Sequence, residues 1–320
     1  MMSERTIVYI AGYGRSGSTL LARILGSHQN IFAVGELINF LKLVDSENSI
    51  CSCGDKIQCC AFWSDVVKKF RKDFINTSEL IQIQKKYESF SSFYSHILDP
   101  SPYSRSIYKD LNQSLINSIY ENLSNDIHYI IDSSKTSWSR FFRPYSLSKI
   151  GSLKVKVIHI IRDGRGCMWS NMKGTDTGLL KGEVLNQHAS FPVFRTAVHW
   201  PFANLGAHFF QLSHSSEDYC RIRYEDLVEK PTETYTKLSK FLGVRFDKQI
   251  KILRTGGDIP IGHLIAGNRM RSFKKFKIKA DSEWKKRLKL QHQLLFWILN
   301  WLPALFYKYR LKPKRLSAKN

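Results

Sequence analysis

The run Gly12-Tyr13-Gly14-Arg15-Ser16-Gly17-Ser18-Thr19 has the residue types of a phosphate cradle. It fits the pattern G-x4-G-x-[ST], with Ser18 where a nucleotide kinase has lysine and the cation moved to Arg15. Glycines allow backbone N–H groups to turn toward an anion, and a helix opening there adds positive dipole charge. A second set lies far along the chain. Ile161-Arg162-Asp163-Gly164-Arg165 is followed, eight residues after Arg162, by Ser170. A guanidinium and a hydroxyl are what a dianionic phosphate takes, whereas in isolation Asp163 would read as a helix N-cap beside surface charges. Tyr224 sits where it either faces a base or joins the core.

Elements able to position these groups are visible as apolar β-branched runs alternating with helical patterns, the mark of a parallel sheet wrapped by helices. Four strands are expected, at Ile7–Ile10, His128–Ile131, Val155–Ile161 and Tyr219–Tyr224. Helices are expected after three of them, over Ser18–Ser27, Gly166–Met172 and Thr232–Leu242, with Pro231 suiting a helix start and Gly243 a helix end. The polar, serine-rich stretch from Phe40 to Asn125 carries no clear strand.

The arginine-bearing loop from Gly12 to Leu21 resembles the 5′-phosphosulfate loop of sulfotransferases that use 3′-phosphoadenosine 5′-phosphosulfate (PAPS), and Arg162 with Ser170 resembles their 3′-phosphate element. Similar pieces recur at Val34-Gly35-Glu36-Leu37, Ile131-Asp132-Ser133-Ser134-Lys135, Tyr224-Glu225-Asp226-Leu227 and Gly267-Asn268-Arg269-Met270-Arg271. The likeness is nearest to bacterial members and to the tyrosylprotein and carbohydrate branches. It implies a P-loop-type α/β fold over residues 1–280; from the chain's own composition, 40–125 is expected as a helical insertion capping the substrate side and 281–320 as a basic, apolar tail. It further implies that Arg15, Ser16, Gly17, Ser18 and Thr19 hold the 5′-phosphosulfate. Arg162 and Ser170 hold the 3′-phosphate, Arg269 or a neighbour closes over it, and Tyr224 lies near the adenine. Glu36 matches the glutamate assigned as general base in the tyrosylprotein branch, and Ser133 and Lys135 are expected at the sulfuryl oxygens. His28 is the nearest competing base, although a histidine ending a helix more often complements its dipole.

Sulfuryl transfer requires an acceptor oxygen in line with the departing phosphate, donors on the sulfuryl oxygens and a base, but no metal. The acceptor expected is a hydroxyl on a carbohydrate, a lipid or a tyrosine, with a glycan or glycolipid favoured. Two other readings compete. A P-loop kinase or NTPase would use Arg15 as its cation and Asp132 to hold Mg²⁺, against which stand the missing lysine and the alternative of Asp132 as a turn-forming side chain. A nucleic-acid-binding protein would use the basic tail with Trp284, Phe296, Trp297 and Trp301 as stacking platforms, which leaves the loop and Arg162 unexplained.

Charge is uneven. Of a net +22, the stretch from Arg269 onward supplies +14, from 16 basic residues against Asp281 and Glu283. Within it Leu294–Tyr307 is apolar and aromatic, too short to span a bilayer and flanked by Lys285-Lys286-Arg287 and Lys312-Pro313-Lys314-Arg315, which suits either an anionic membrane surface or packing on the core. Without an export signal or long apolar run, a cytoplasmic protein with reduced thiols is expected. Cys51, Cys53, Cys59 and Cys60 form C-x-C-x5-C-C, which lacks the paired C-x2-C of zinc ribbons, so structural thiols are expected and no metal ligand is assigned.

Overall fold

The computed structural model describes residues 5–93, 101–173, 192–267, 269–272, 275–276 and 280–311. Five parallel strands form its centre: β1 (Thr6–Ala11), β2 (Ile31–Gly35), β3 (Tyr129–Asp132), β4 (Val155–Ile161) and β5 (Tyr219–Arg223), in the order β2-β3-β1-β4-β5. β1 pairs with β3 from Thr6↔Tyr129 to Tyr9↔Asp132 and with β4 from Ile7↔Val155 to Ala11↔His159. Both faces of β1 are covered. Ile7, Tyr9 and Ala11 join one apolar cluster while Val8 and Ile10 join another, which is why this strand is an unbroken apolar run.

Helix α1 (Ser18–Leu25) returns the chain from β1 to β2. The strand β2 was not among those expected. Ile31 to Gly35 is only five residues long and starts directly after the turn that ends α1, so it carries too little periodicity to stand out. Beyond β2 come the helices of the insertion, α2 (Phe40–Val44), α3 (Trp63–Asp73), α4 (Thr77–Glu88) and α5 (Pro102–Tyr120). A buried charge cluster fastens them to the sheet. Arg143, in α6 (Arg143–Lys149), pairs with Glu88 at the end of α4 and, at 3.3 Å, with Asp132 at the end of β3. Tyr108 of α5 donates to the same Glu88 carboxylate at 3.0 Å.

The second half adds α7 (Gly164–Met172) and α8 (Pro192–Ser213), then α9 (Tyr224–Glu229), α10 (Pro231–Leu242) and α11 (Asp247–Thr255), and finally α12 (Trp284–Arg287) and α13 (Leu290–Phe306). The C-terminal segment is packed against the sheet's helices. Trp284, Leu288, Phe296, Ala304, Tyr307 and Tyr309 share a buried cluster with Cys167, Met168 and Trp200. Phe296 fits against Gly164, where a Cβ would lie 2.1 Å from its ring. Burial of Trp284 and Phe296 removes two of the four rings that a base-stacking surface would need. No helix among the described residues is long and apolar enough to cross a membrane.

Candidate active site

In an open parallel sheet, ligands gather at the carboxyl ends of the strands. Each of the five strands here hands over there to a residue the sequence had singled out. β1 runs into Gly12, β2 into Glu36, β3 into Ser133, β4 into Arg162 and β5 into Tyr224. The spatial order along this edge is therefore Glu36, Ser133 with Lys135, the Gly12–Thr19 loop, Arg162 and Tyr224.

The central loop is shaped by local backbone geometry. Gly12, Arg15 and Gly17 all have positive φ, of 118°, 69° and 89°. At Gly12 a Cβ would sit 2.2 Å from the carbonyl oxygen of Ile160, and at Gly17 one would sit 2.6 Å from the ring of Tyr224, so no other residue fits either place. Gly17 caps α1 without a side-chain hydrogen bond, leaving the first-turn N–H groups directed outward from the helix. Ser16, Ser18 and Thr19 are buried in this turn. Thr136 holds the loop from beneath, its hydroxyl accepting from the Gly12 N–H at 2.9 Å.

The loop and the Arg162 element interlock. Arg162 Nη1 donates to the Arg15 carbonyl at 2.9 Å, and Arg15 Nε donates to Asn171 Oδ1 at 3.3 Å, one residue beyond Ser170 in α7. Arg162 lies 4.5 Å from the centre of the Tyr224 ring and pairs with Asp281 at 3.0 Å, and its Nε is buried with no hydrogen-bond partner among the described residues. Asp163 caps α7 through the Arg165 N–H at 2.9 Å, as its sequence position allowed. Arg165 is itself buried; it chelates Asp163 and donates to the carbonyls of Arg310 and Leu311 at 2.7 and 2.6 Å. Ser170 is half-buried on the same helix. Neither Asn171 nor the anchoring role of Asp281 was read from the sequence; Asn171 follows Ser170 directly, the one signal that could have raised it.

At the other end of the edge, Glu36 forms an ion pair with Lys135, lies 3.8 Å from Arg140 Nη1 and accepts from Asn39 Nδ2 at 3.2 Å. Burial pushes this carboxyl upward, but Lys135 and Arg140 outweigh it and hold the group below the usual carboxylate range. Lys135 reaches it from a strained position, φ 64°, fixed by its N–H on Ile10 O at 3.1 Å. Ser133 is buried beside Gly35, donating its N–H to that carbonyl at 2.7 Å. His28 lies behind α1, packed edge-on to Phe246, with its Nδ1 accepting from the Asn30 N–H at 3.2 Å; the length of α1 separates it from this edge. Asp132 is used up structurally. One oxygen accepts from the N–H groups of Leu37 and Ser134, and the other faces Arg143, so its lone pairs serve a turn and an ion pair and are unsuited to Mg²⁺.

The turn Arg269–Ser272 lies against α1, and Gly267 comes close to both Glu36 and Thr19, a Cβ there being 3.6 Å from each. Arg271 is buried, while the Arg269 side chain, Asn268 and Lys312 to Arg315 lie outside the described residues. 

The sulfotransferase domain from the curacin biosynthetic pathway is 22% identical, with a TM-score of 0.51 over 96% of this chain and 98% of that one. The sulfotransferase domain of the Synechococcus PCC 7002 olefin synthase is 19% identical, with a TM-score of 0.48, over 97% of each chain. A mouse sulfotransferase complexed with PAP is 11% identical, with a TM-score of 0.47, over 96% of this chain and 87% of that one. Comparison with curated proteins by sequence returns no match. A family model described as "Sulfotransferase family" matches residues 8–248, more than half the chain, and this protein belongs to that family.

Proposed function

We propose that the protein transfers a sulfuryl group from PAPS to an acceptor hydroxyl, and that the order of groups along the carboxyl edge carries this reading. A carboxylate with a lysine stands at one end, a phosphate loop at the centre and a buried arginine with an unpartnered Nε toward the other end. At about 4.8 Å per strand, Glu36 and Arg162 are separated by roughly 14 Å of sheet edge. An extended donor lying along that edge, with its transferable group at the loop and its 3′-phosphate at Arg162 and Ser170, has an anion-binding group at each phosphate.

In the proposed reaction the acceptor oxygen forms a bond to sulfur as the bond from sulfur to the 5′-phosphate oxygen breaks. The acceptor proton passes to the Glu36 carboxylate, which its cationic neighbours keep ionised at neutral pH. Arg15, Ser18, Thr19 and the first N–H groups of α1 take up charge on the leaving phosphate, while Lys135 and Ser133 face the sulfuryl oxygens. Tyr224, packed between Gly17 and Arg162, borders the adenine side. No metal is needed in this scheme. Replacing Glu36 by Gln keeps the shape and removes the base, so kcat should fall by about 10² or more while retention on immobilised 3′,5′-adenosine bisphosphate survives. Near-normal turnover would sink the assignment. Replacing Arg162 by Ala should raise KM for PAPS and erase its preference over the analogue lacking the 3′-phosphate.

A glycan or glycolipid hydroxyl is the proposed acceptor, with the 40–125 insertion as the cap over it. Phe90, Trp138 and Phe202 form an aromatic cluster, and Trp138 stands in the same short turn as Arg140, beside Glu36. Such rings suit the apolar face of a sugar or a lipid chain. Incubation with labelled PAPS and separated glycan, lipid and protein fractions tests this by where label appears.

Peripheral contact with anionic membrane is supported by one further observation. While α13 buries Phe296, Asn300 and Ala304, its opposite side exposes Leu294, Ile298, Trp301, Leu302, Leu305 and Phe306, between Lys285-Lys286-Arg287 and Lys308 with Arg310. The full chain should float with anionic but not neutral vesicles, and Trp301→Ser with Leu302→Ser should abolish this. Equal partitioning of wild type and variant would remove the idea.

A further inference from the structure

The cysteine-rich stretch after α2 is not used by the reaction above, yet it is brought together with a histidine distant in sequence. Cys51, Cys53, Cys60 and His263 present one donor atom each, all within 4.8 Å of one another. Cys53 Sγ lies 3.7 Å from Cys60 Sγ, and His263 Nδ1 lies 3.2 Å from Cys60 Sγ and 3.8 Å from Cys51 Sγ. With zinc–sulfur and zinc–nitrogen bonds of about 2.3 and 2.0 Å, the edges of a tetrahedral site measure about 3.8 Å between sulfurs and about 3.5 Å from sulfur to nitrogen. The observed separations cluster around those edges, and they far exceed the roughly 2.0 Å of a disulfide. Cys59, adjacent to Cys60 in sequence, is exposed and outside the group.

The surrounding backbone is arranged as a ligand turn is. Cys51 N–H donates to Asp55 O at 2.9 Å and Gly54 N–H to Cys51 O at 3.0 Å, with Gly54 at φ 105° closing the turn that carries the first two thiols. Ser52, between those thiols, grips both neighbours of His263: its hydroxyl donates to Gly262 O at 3.0 Å and accepts from Leu264 N–H at 2.7 Å. Trp63 Nε1 donates to His263 O at 2.6 Å, and the Phe62 ring stacks on the imidazole at 5.6 Å. Outer contacts of this kind fix the orientation of ligating groups.

From this geometry we propose that Cys51, Cys53, Cys60 and His263 bind one structural zinc ion. Three thiolates and one imidazole form a full tetrahedral set with no position left for water or substrate, so the ion has a fastening role. What it fastens is next to the chemistry. Two residues after His263, Ile265 donates its N–H to Val34 O at 3.0 Å and accepts from the Glu36 N–H at 2.9 Å, and the chain then reaches Gly267 beside Glu36 and Thr19. The zinc clips the insertion to the strand-like segment that sets the Glu36 backbone.

Tag-free full-length protein, prepared anaerobically with zinc and dialysed, should contain close to one zinc per chain by elemental analysis. Cys60→Ser and His263→Ala should surrender it to a chelator that wild type withstands, and Cys59→Ser should keep it. Because those variants could fail to fold, wild type gives an independent reading. In the loaded protein, alkylation followed by mass spectrometry should label exposed Cys59 and spare exposed Cys53, with both labelled after chelation; cobalt in place of zinc should give tetrahedral ligand-field bands with thiolate charge transfer. Metal far below one per chain, Cys53 alkylated as fast as Cys59, or an intact mass short of two hydrogens from a Cys53–Cys60 disulfide would each overturn the proposal.

Discussion

The Gly12–Thr19 loop and the Arg162–Ser170 element both offer groups to an anion, but they are built by opposite means. The first is eight consecutive residues whose shape comes from positive-φ positions, backed by β4 and Thr136. The second depends on distant chain: Asp281 on Arg162, the carbonyls of Arg310 and Leu311 on Arg165, Phe296 against Gly164. The loop takes its shape chiefly from its own backbone, with Thr136 and Arg162 as supports, whereas the second station can be lost by substitutions about 120 or more residues away in sequence. The sheet edge thus carries one station set mainly by local backbone and one that the C-terminal segment maintains.

The largest effect that separates the two should come from Arg165→Met. It strands Asp163 and the two carbonyls, and breaking a buried ion pair typically costs about 3–5 kcal/mol. Thermal or urea unfolding should register the loss, and surviving protein should bind the 3′-phosphate poorly while still holding the 5′ end. Gly17→Ala attacks the other station. A strained backbone there costs about 1–3 kcal/mol, beyond the clash with Tyr224, and the expected readout is weaker donor binding with or without a 3′-phosphate. Equal discrimination in both variants would erase the distinction drawn between the stations.

Glu36 supplies a third test, through pH. Its folded carboxyl is held below its ordinary range by Lys135 and Arg140, so the ion pair's contribution to stability is present above the unfolded value of about 4.3 and is lost as pH falls through the lower folded one. The kcat/KM profile should stay flat on the acid side down to that region. Arg140→Leu removes one of the two cations and should move the acid limb upward in pH; an unmoved or lower limb would point to another base. The smallest effect is expected from Tyr309→Phe. It deletes a 2.8 Å hydrogen bond to Glu225, whose other oxygen accepts from the Asp163 N–H at 3.0 Å, and should cost about 0.5–1.5 kcal/mol with a slight rise in KM for the donor.

The same contrast explains what was legible in the sequence. The loop was readable because its signal is contiguous, and Arg162 because a strand ends directly before it. Four of the five strands of the main sheet stood out as apolar runs, while β2 was hidden by its shortness. Asp281, Asn171 and His263 were not readable in their roles, since each acts on a group far away in the chain: His263 meets Cys60 across 203 residues. The four cysteines raised the question of metal without a paired C-x2-C to answer it, and only the fold leaves Cys59 outside and brings His263 beside the other three. The apolar run near the C-terminus was evident; which of its sides faces inward was set by Gly164 and Trp200, which no local pattern reveals.

The cluster of Glu88, Arg143 and Asp132 sets a limit on how acceptor preference can be exchanged within such a protein. A graft of residues 40–125 from a relative would import a new partner for Arg143 and leave the old arginine on Asp132. Unless the donor segment brings a carboxylate to the place of Glu88, the hybrid loses one of the two carboxylates that Arg143 meets beneath β3 and keeps only the longer contact with Asp132. The unit that can be transplanted intact therefore extends past the insertion to Arg143, carrying Ser133, Lys135 and Arg140 with it. Under the proposed function, recombination that swaps the insertion would then swap part of the sheet edge that carries Ser133 and Lys135 as well, so new acceptor preferences would come more readily from substitutions inside the insertion than from its replacement.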